Sequence, residues 1–292
     1  MAGRLMDVFS RKVDEAVIKK KAIAAFKEDL GSGDATTDAV VSGKNQATAL
    51  ITSNEDGVIA GGLEAKAILE DGGLKVEQLI KDGAKARKGQ KVMKVSGDAR
   101  EILARERTAL NYIQKMSGIA TLSSRMAKMG NVAFLRKQDP GLGMSENRAV
   151  QLGGCLTHRL GLYDGIIIKD NHLKLLGGGL DAIREAIARA DKHRGKNFLL
   201  EVEVESVQGG RAAAEAFKEL SGPRAILLDN MSPAQVKKAV FEIKKISKDV
   251  FIEASGNITE KNAKDYLKAG VDFVSTSYLV KAAGFLDLTL EF

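Results

Sequence analysis

The sequence predicts an α/β fold in which a small α/β layer precedes a parallel barrel of repeated βα units. Three observations carry that expectation: a helical run followed by alternating stretches in the first hundred residues, one long amphipathic helix after them, and six β-rich runs spaced through the remainder. At 292 residues the chain is longer than the common single domain, so two domains sharing a core are expected.

The elements follow in order. Val13, Val17 and Ala24 recur at helical spacing among lysines, which predicts an amphipathic helix from Val13 to Leu30 that stops at Gly31. The stretch EDLGSGDATT, residues 28–37, concentrates acidic, glycine and threonine residues and reads as a loop. Alternating stretches at Ala47 to Ser53, Gly57 to Gly61 and Val92 to Val95, with a helical Leu63 to Leu69 between them, complete the small layer. Asp98 can cap a long helix toward Met116, with Ile102, Ala109, Leu110, Ile113 and Met116 on one apolar face.

Beyond that helix come VAFLRKQD from Val132, GIIIKDN from Gly165, LLEVEVE from Leu199, AILLDN from Ala225, VFIEASG from Val250 and FVSTS from Phe273. Their spacing is that of a strand plus a crossover helix, and Leu180 to Ala190 and Pro233 to Ile246 supply helical patterns in the gaps. Each run is apolar through its middle and closes on polar residues: Lys137, Lys169 with Asp170, Glu203 or Glu205, Asp229, Ser255, and Thr276 with Ser277. In an α/β barrel the carboxyl ends of the strands form one mouth, where catalytic residues sit.

Composition narrows the classes. Hydrophobic residues make up 44% and charged residues 28%, the balance of a globular protein, and no apolar run has the length to cross a bilayer. A formal charge of +7 favours anionic ligands, but aromatics are only 5% and no nucleic-acid recognition motif occurs, so nucleic acid is not an expected partner. Cys155 is the only cysteine, which excludes an intrachain disulfide and a multi-cysteine metal framework, fits a reducing, cytoplasmic setting, and reads as a packed small residue. The patterns GxxxxGK(S/T), GxGxxG after a strand, HExxH, GxSxG and CxxC are absent, and Gly177 to Gly179 reads as a turn.

Three groups of residues point to chemistry. Arg136, Lys137, His158, Arg159 and Lys169 lie on or beside two successive strands, and cations that close repel one another unless anions offset them, so an anionic ligand is expected. In EVEVE, Glu201, Glu203 and Glu205 share a strand face; Glu203, with Asp229 on the next strand, suits a sugar's hydroxyls or a magnesium ion held directly or through water. Ser255 with Gly256, and Thr276 with Ser277, end the last two strands, where small residues and free amides commonly cradle a phosphate.

These residues and their order resemble the quinolinate phosphoribosyltransferase family. EDLGSGDATT, RERTALNYIQKMSGIAT, GGCLTHRLGLYDGIIIKDNH, LLEVEVES, ILLDNMSP, IEASGNIT and GVDFVS follow the family's sequence nearly end to end. The resemblance implies an amino-terminal α/β sandwich domain over residues 1–112, joined by the final segment 283–292, and an incomplete parallel α/β barrel over 113–282. It implies transfer of phosphoribosyl from phosphoribosyl diphosphate to quinolinate with decarboxylation, Mg2+ as cofactor, and a homodimer or higher homo-oligomer in which Arg107 reaches the partner's site. It places Lys137, Glu203 and Asp229 in catalysis, with both acids as direct or indirect magnesium ligands. Arg107, Arg136, His158, Arg159, Lys169, Ser255, Gly256, Asn257 and Ser277 would bind substrate. The departures are Leu135 and Gln138 flanking Arg136 and Lys137 where the family has threonines, Gly143 for arginine, Asn147 for lysine, Thr157 for asparagine, Asn257 for glycine, and Ser277 and Lys281 for glycine and histidine. They leave a second reading open, the same fold and chemistry with another acid acceptor, as in molybdenum-transport-associated relatives.

Overall fold

The structure is a computed structural model and describes residues 7–43, 45–135, 141–195 and 198–292. Its strands, in chain order, are β1 (Gln46–Ser53), β2 (Gly57–Val58), β3 (Lys75–Gln78), β4 (Lys85–Ala86), β5 (Lys91–Asp98), β6 (Val132–Phe134) and β7 (Leu156–Thr157). They continue with β8 (Ile166–Ile168), β9 (Leu200–Val204), β10 (Arg224–Asp229), β11 (Phe251–Ser255), β12 (Phe273–Thr276) and β13 (Leu288–Glu291).

The chain packs as two units, the first holding the described residues of 12–125, 137–155 and 279–292. Its antiparallel sheet runs β13-β1-β5-β3, so the carboxyl-terminal strand returns to pair with β1. Alternation in β1 buries Ala49 and Ile51 on one face, where Val92, Met93 and Val95 of the neighbouring β5 meet Ile68 and Leu69 of the helix Gly62–Asp71 and Ile102, Ala109 and Ile113 of the helix Ala99–Ala127. Two expectations are corrected here. EDLGSGDATT is not wholly loop: the Asp34 side chain accepts from the Thr36 and Thr37 amides at 3.1 and 3.0 Å and starts the helix Ala35–Val40. The strand expected over residues 57–61 ends at Val58.

The second unit holds the described residues of 1–11, 126–136 and 156–278. It is a seven-stranded sheet in the order β7-β6-β12-β11-β10-β9-β8, every pairing parallel, with β7 and β8 as its two ends. That is the incomplete barrel the resemblance implies. Alternate side chains point inward, and Ala133, Leu156, Leu199, Ala225, Phe251 and Phe273 close around Phe9 of the amino-terminal segment. The packing boundary does not fall at 112/113: the long helix stays with the first unit to residue 125 because Leu110 and Ile113 sit in that unit's core, and residues 141–155 return to it with the helix Gly143–Leu152.

Candidate active site

The strand ends of the parallel unit carry the residues the sequence singled out. Lys169 follows β8, and its Nζ lies 3.3 Å from Glu203 Oε2 on β9; the two side chains are 43% and 12% exposed. The His172 ring accepts the Lys169 N–H at Nδ1 over 2.9 Å at the start of the helix Asp170–Leu175, which fixes where the lysine leaves the backbone. Burial pushes the Glu203 carboxyl up, Lys169 opposes that shift, and Asp229 adds to it. Asp229 ends β10 and accepts from the Asn230 side chain. Glu205 lies past the end of β9 and is exposed.

The last two strand ends form a tight polar turn. Gly256 has φ 98°, and a Cβ there would meet Asn230 side-chain and backbone atoms at 2.4 to 2.9 Å, so only glycine fits between β10 and β11. Asn230 and Asn257 hold φ 52° and 51°, the left-handed region that asparagine tolerates better than most residues. Thr276 is buried and its Oγ1 donates to Ile258 O at 2.6 Å, tying β12 to the loop after β11, while Ser277 is half-buried. Backbone amides on such a turn are ready for phosphate oxygens.

His158 lies elsewhere. It is 1% exposed inside the barrel, with Nε2 3.0 Å from Glu201 Oε2 and 3.3 Å from Glu253 Oε2, both glutamates fully buried. Hydrogen-bond geometry is met toward Glu253, whereas neither Glu201 oxygen has a hydrogen-bond partner. Glu253 is pushed up to about 8 by burial and by Glu201. Burial disfavours a charged His158 ring, whereas Glu201 and Glu253 favour it and push its pKa up. The Arg159 N–H, aimed at Nδ1 from 3.0 Å, opposes the second ring proton that the carboxylates favour. We therefore read the ring as carrying its proton on Nε2.

Two places offer metal-ligand chemistry. The buried trio brings three ligand-type atoms within 4.8 Å of one another, but an Nε2 that carries a proton has no lone pair to give, so the trio does not fit a metal. At the strand ends Glu203 and Asp229 offer oxygen donors on adjacent strands, both incompletely buried, which fits magnesium with retained waters.

Arg107 belongs to the first unit. With Asn111 and Lys115 it lines an open cleft of about 470 Å³, together with Asp29, Tyr112 and Phe285. Arg136 and Lys137 fall outside the described residues. Glu253 escaped the sequence reading; its signal is a lone acid inside the otherwise apolar VFIEASG.

The fold, an open parallel barrel with cations and acids at its strand ends, defines a phosphoribosyltransferase-like protein. The family profile for the quinolinate phosphoribosyl transferase C-terminal domain matches residues 119–291, and that for the N-terminal domain matches residues 34–117. A probable nicotinate-nucleotide pyrophosphorylase [carboxylating] of Methanothermobacter thermautotrophicus is 36% identical over 275 residues, covering 91% of this chain and 95% of that protein. The chloroplastic nicotinate-nucleotide pyrophosphorylase [carboxylating] of Arabidopsis thaliana is 36% identical over 294 residues, 95% of this chain and 82% of that one. The solved nicotinate-nucleotide pyrophosphorylase of Francisella tularensis superposes with a TM-score of 0.85 at 29% identity, covering 96% of this chain and 97% of that one. This chain belongs to the quinolinate phosphoribosyltransferase family.

Proposed function

We propose that this chain joins the ring nitrogen of quinolinate to C1 of phosphoribosyl diphosphate and releases diphosphate and carbon dioxide, giving nicotinate mononucleotide for NAD biosynthesis. The observation that carries the reading is the run of strand ends from Lys169 and Glu203 through Asp229 to Ser255, Gly256 and Asn257, on neighbouring parallel strands. In the proposed roles the cations Arg136, Lys137, Arg159 and Lys169 hold the pyridine dicarboxylate and the diphosphate, and the Ser255 to Asn257 turn with Ser277 holds the 5'-phosphate. His158 acts from beneath them.

As the C1–O bond to diphosphate breaks, positive charge grows on the ribose, and Glu203 and Asp229 stabilise it. When bound, magnesium held by these two acids, directly or through its waters, would neutralise charge on the departing diphosphate. The alkylated ring is cationic and stabilises the carbanion left at C2 when the carboxylate departs, and a proton then replaces it. No protein nucleophile is needed, which suits Cys155: burial pushes its thiol up to about 12, far from thiolate formation.

The relatives' names favour quinolinate over another acid acceptor. Two of the departures, Asn147 and Thr157, are 1% and 0% exposed. A homodimer in which Arg107 completes the partner's site belongs to this proposal, supported by the open cleft that Arg107 lines. So does a cytoplasmic setting, supported by the lone, unpaired cysteine. Among the described residues no helix is long and apolar enough to cross a membrane.

The test is an incubation of pure protein with phosphoribosyl diphosphate, magnesium and either quinolinate or nicotinate, read by mass spectrometry. Nicotinate mononucleotide from quinolinate alone, with carbon dioxide released, is the expected result. A folded protein that yields no nucleotide from quinolinate contradicts the proposal.

A further inference from the structure

We infer that Glu253 is a positioning residue for the proposed reaction: from inside the barrel it orients His158, and His158 in turn fixes the Arg159 backbone beside the strand ends. The inference rests on the phosphoribosyl-transfer reading above and assigns a role to a residue that cannot reach substrate.

The chain of contacts is continuous. Glu253 is fully buried on β11, and its Oε2 lies 3.3 Å from His158 Nε2. The opposite ring nitrogen, Nδ1, accepts the Arg159 N–H at 3.0 Å. A ring held at both nitrogens is restricted to one tautomer and one orientation, because the group facing one nitrogen decides what the other can do. The Phe9 ring, 5.4 Å away and edge-on at 65°, packs against the imidazole.

Three further bonds hold Arg159 and its two chain neighbours. The His158 amide donates to Phe134 O of β6 at 3.3 Å, the Arg159 Nη1 donates to Gly165 O at 3.1 Å, and the Leu160 amide donates to Asp164 Oδ2 at 3.0 Å. The last two bonds close residues 159–165 into a turn, and the first ties its start to β6 beside the imidazole. A guanidinium recognises a planar carboxylate through paired hydrogen bonds, so a small rotation of its backbone weakens binding of the acid. The same device recurs at the other cation: His172 Nδ1 accepts the Lys169 N–H at 2.9 Å. In both cases a histidine holds the main-chain amide of a strand-end cation, and only His158 is itself held from below.

Glu253 carries the role better than Glu201. It meets hydrogen-bond geometry with the ring, whereas Glu201 does not and stands two residues from Glu203 on the same strand face.

The test uses the full-length protein carrying Glu253→Ala, Glu253→Asp or Glu253→Gln, assayed with quinolinate, phosphoribosyl diphosphate and magnesium. Glu253→Ala is expected to raise KM for quinolinate on the order of tenfold, the equivalent of losing about 1.4 kcal/mol of positioning. The KM for phosphoribosyl diphosphate is expected to change less than about twofold. Glu253→Gln keeps the volume and an acceptor oxygen and is expected to recover most of the loss. In 15N NMR, the His158 ring is expected to show a single Nε2–H tautomer in the unchanged protein and the glutamine variant, and the Arg159 amide resonance to shift in the alanine variant. If alanine does not fold, Glu253→Asp draws the carboxylate back by one methylene and should give an intermediate KM.

A folded alanine or aspartate variant with unchanged KM for quinolinate overturns the inference, as does an equal effect on both substrates that the glutamine does not reverse. An unchanged protein that makes no product from quinolinate defeats the proposed reaction instead. The NMR arm still decides the coupling in that case, and an Arg159 amide indifferent to Glu253→Ala overturns it.

Discussion

Glu201 and Glu203 stand two residues apart on one face of β9, and their surroundings make them different groups. Glu203 reaches the strand ends, 12% exposed, with Lys169 3.3 Å away as a partner that is itself 43% exposed. Glu201 lies one step down, fully buried, against the imidazole of His158 and beside Glu253. A charge at the upper level can be exchanged from a lysine to a ligand because water and mobile side chains remain available. A charge at the lower level has no such freedom, since an uncompensated buried ion costs several kcal/mol. The lesson is that residue type alone does not separate the acid proposed for catalysis from the structural ones; depth along the strand does.

Changes at the lower level test this contrast most severely. His158→Ala removes the N–H that both buried carboxylates face, and we expect a loss of about 3–5 kcal/mol of unfolding free energy in urea denaturation. A loss below about 1 kcal/mol would mean that the carboxylates find other partners. At the upper level, Lys169→Ala is expected to lower kcat by about a hundredfold. Its partly exposed ion pair contributes only about 0–1 kcal/mol, so the urea midpoint should hardly move. Gly256→Ala should come next: a Cβ beside Asn230 at φ 98° reshapes the turn proposed to hold phosphate, and we expect KM for phosphoribosyl diphosphate to rise about tenfold. An unchanged KM would remove the turn from the substrate site.

The pH dependence is smaller and has a definite sign. Glu253 is raised from an ordinary 4.5 to about 8. The folded state therefore binds a proton that the unfolded state has released, so this contribution is complete below pH 4.5 and is lost as the pH rises through about 8. The difference in unfolding free energy between pH 6 and pH 9 should shrink in Glu253→Gln; an unaltered slope would place the titration elsewhere. At the bottom of the scale, Lys174→Ala breaks an exposed Lys174–Asp170 pair one helical turn long and should leave the urea midpoint unmoved.

Much of the architecture is legible in the sequence because its signals are local. The six β-rich runs mark β6 and β8 to β12, since each is a short apolar stretch between turn residues and helical patterns. Asp98 does accept from the Arg100 amide at 3.0 Å, at the start of the long helix. The two-residue β7 carries no period to detect, and the helix Gly143–Leu152 buries Ser145, Glu146 and Asn147, which a hydrophobic pattern does not reveal. The strand-end residues were legible for the same local reason: each closes an apolar run. Glu253 was not, because its place is set by pairing Phe251 with Ala225 and Glu253 with Phe273, a register that only the folded sheet supplies.

The most direct test of the depth argument compares Glu201→Gln with Glu203→Gln, measuring kcat with quinolinate and unfolding free energy in urea on the same preparations. The account predicts that Glu203→Gln loses turnover by about a hundredfold at nearly unchanged stability. Glu201→Gln is predicted to shift stability measurably while kcat stays within about tenfold. Equal losses of turnover in both variants, or full activity in Glu203→Gln, would contradict it.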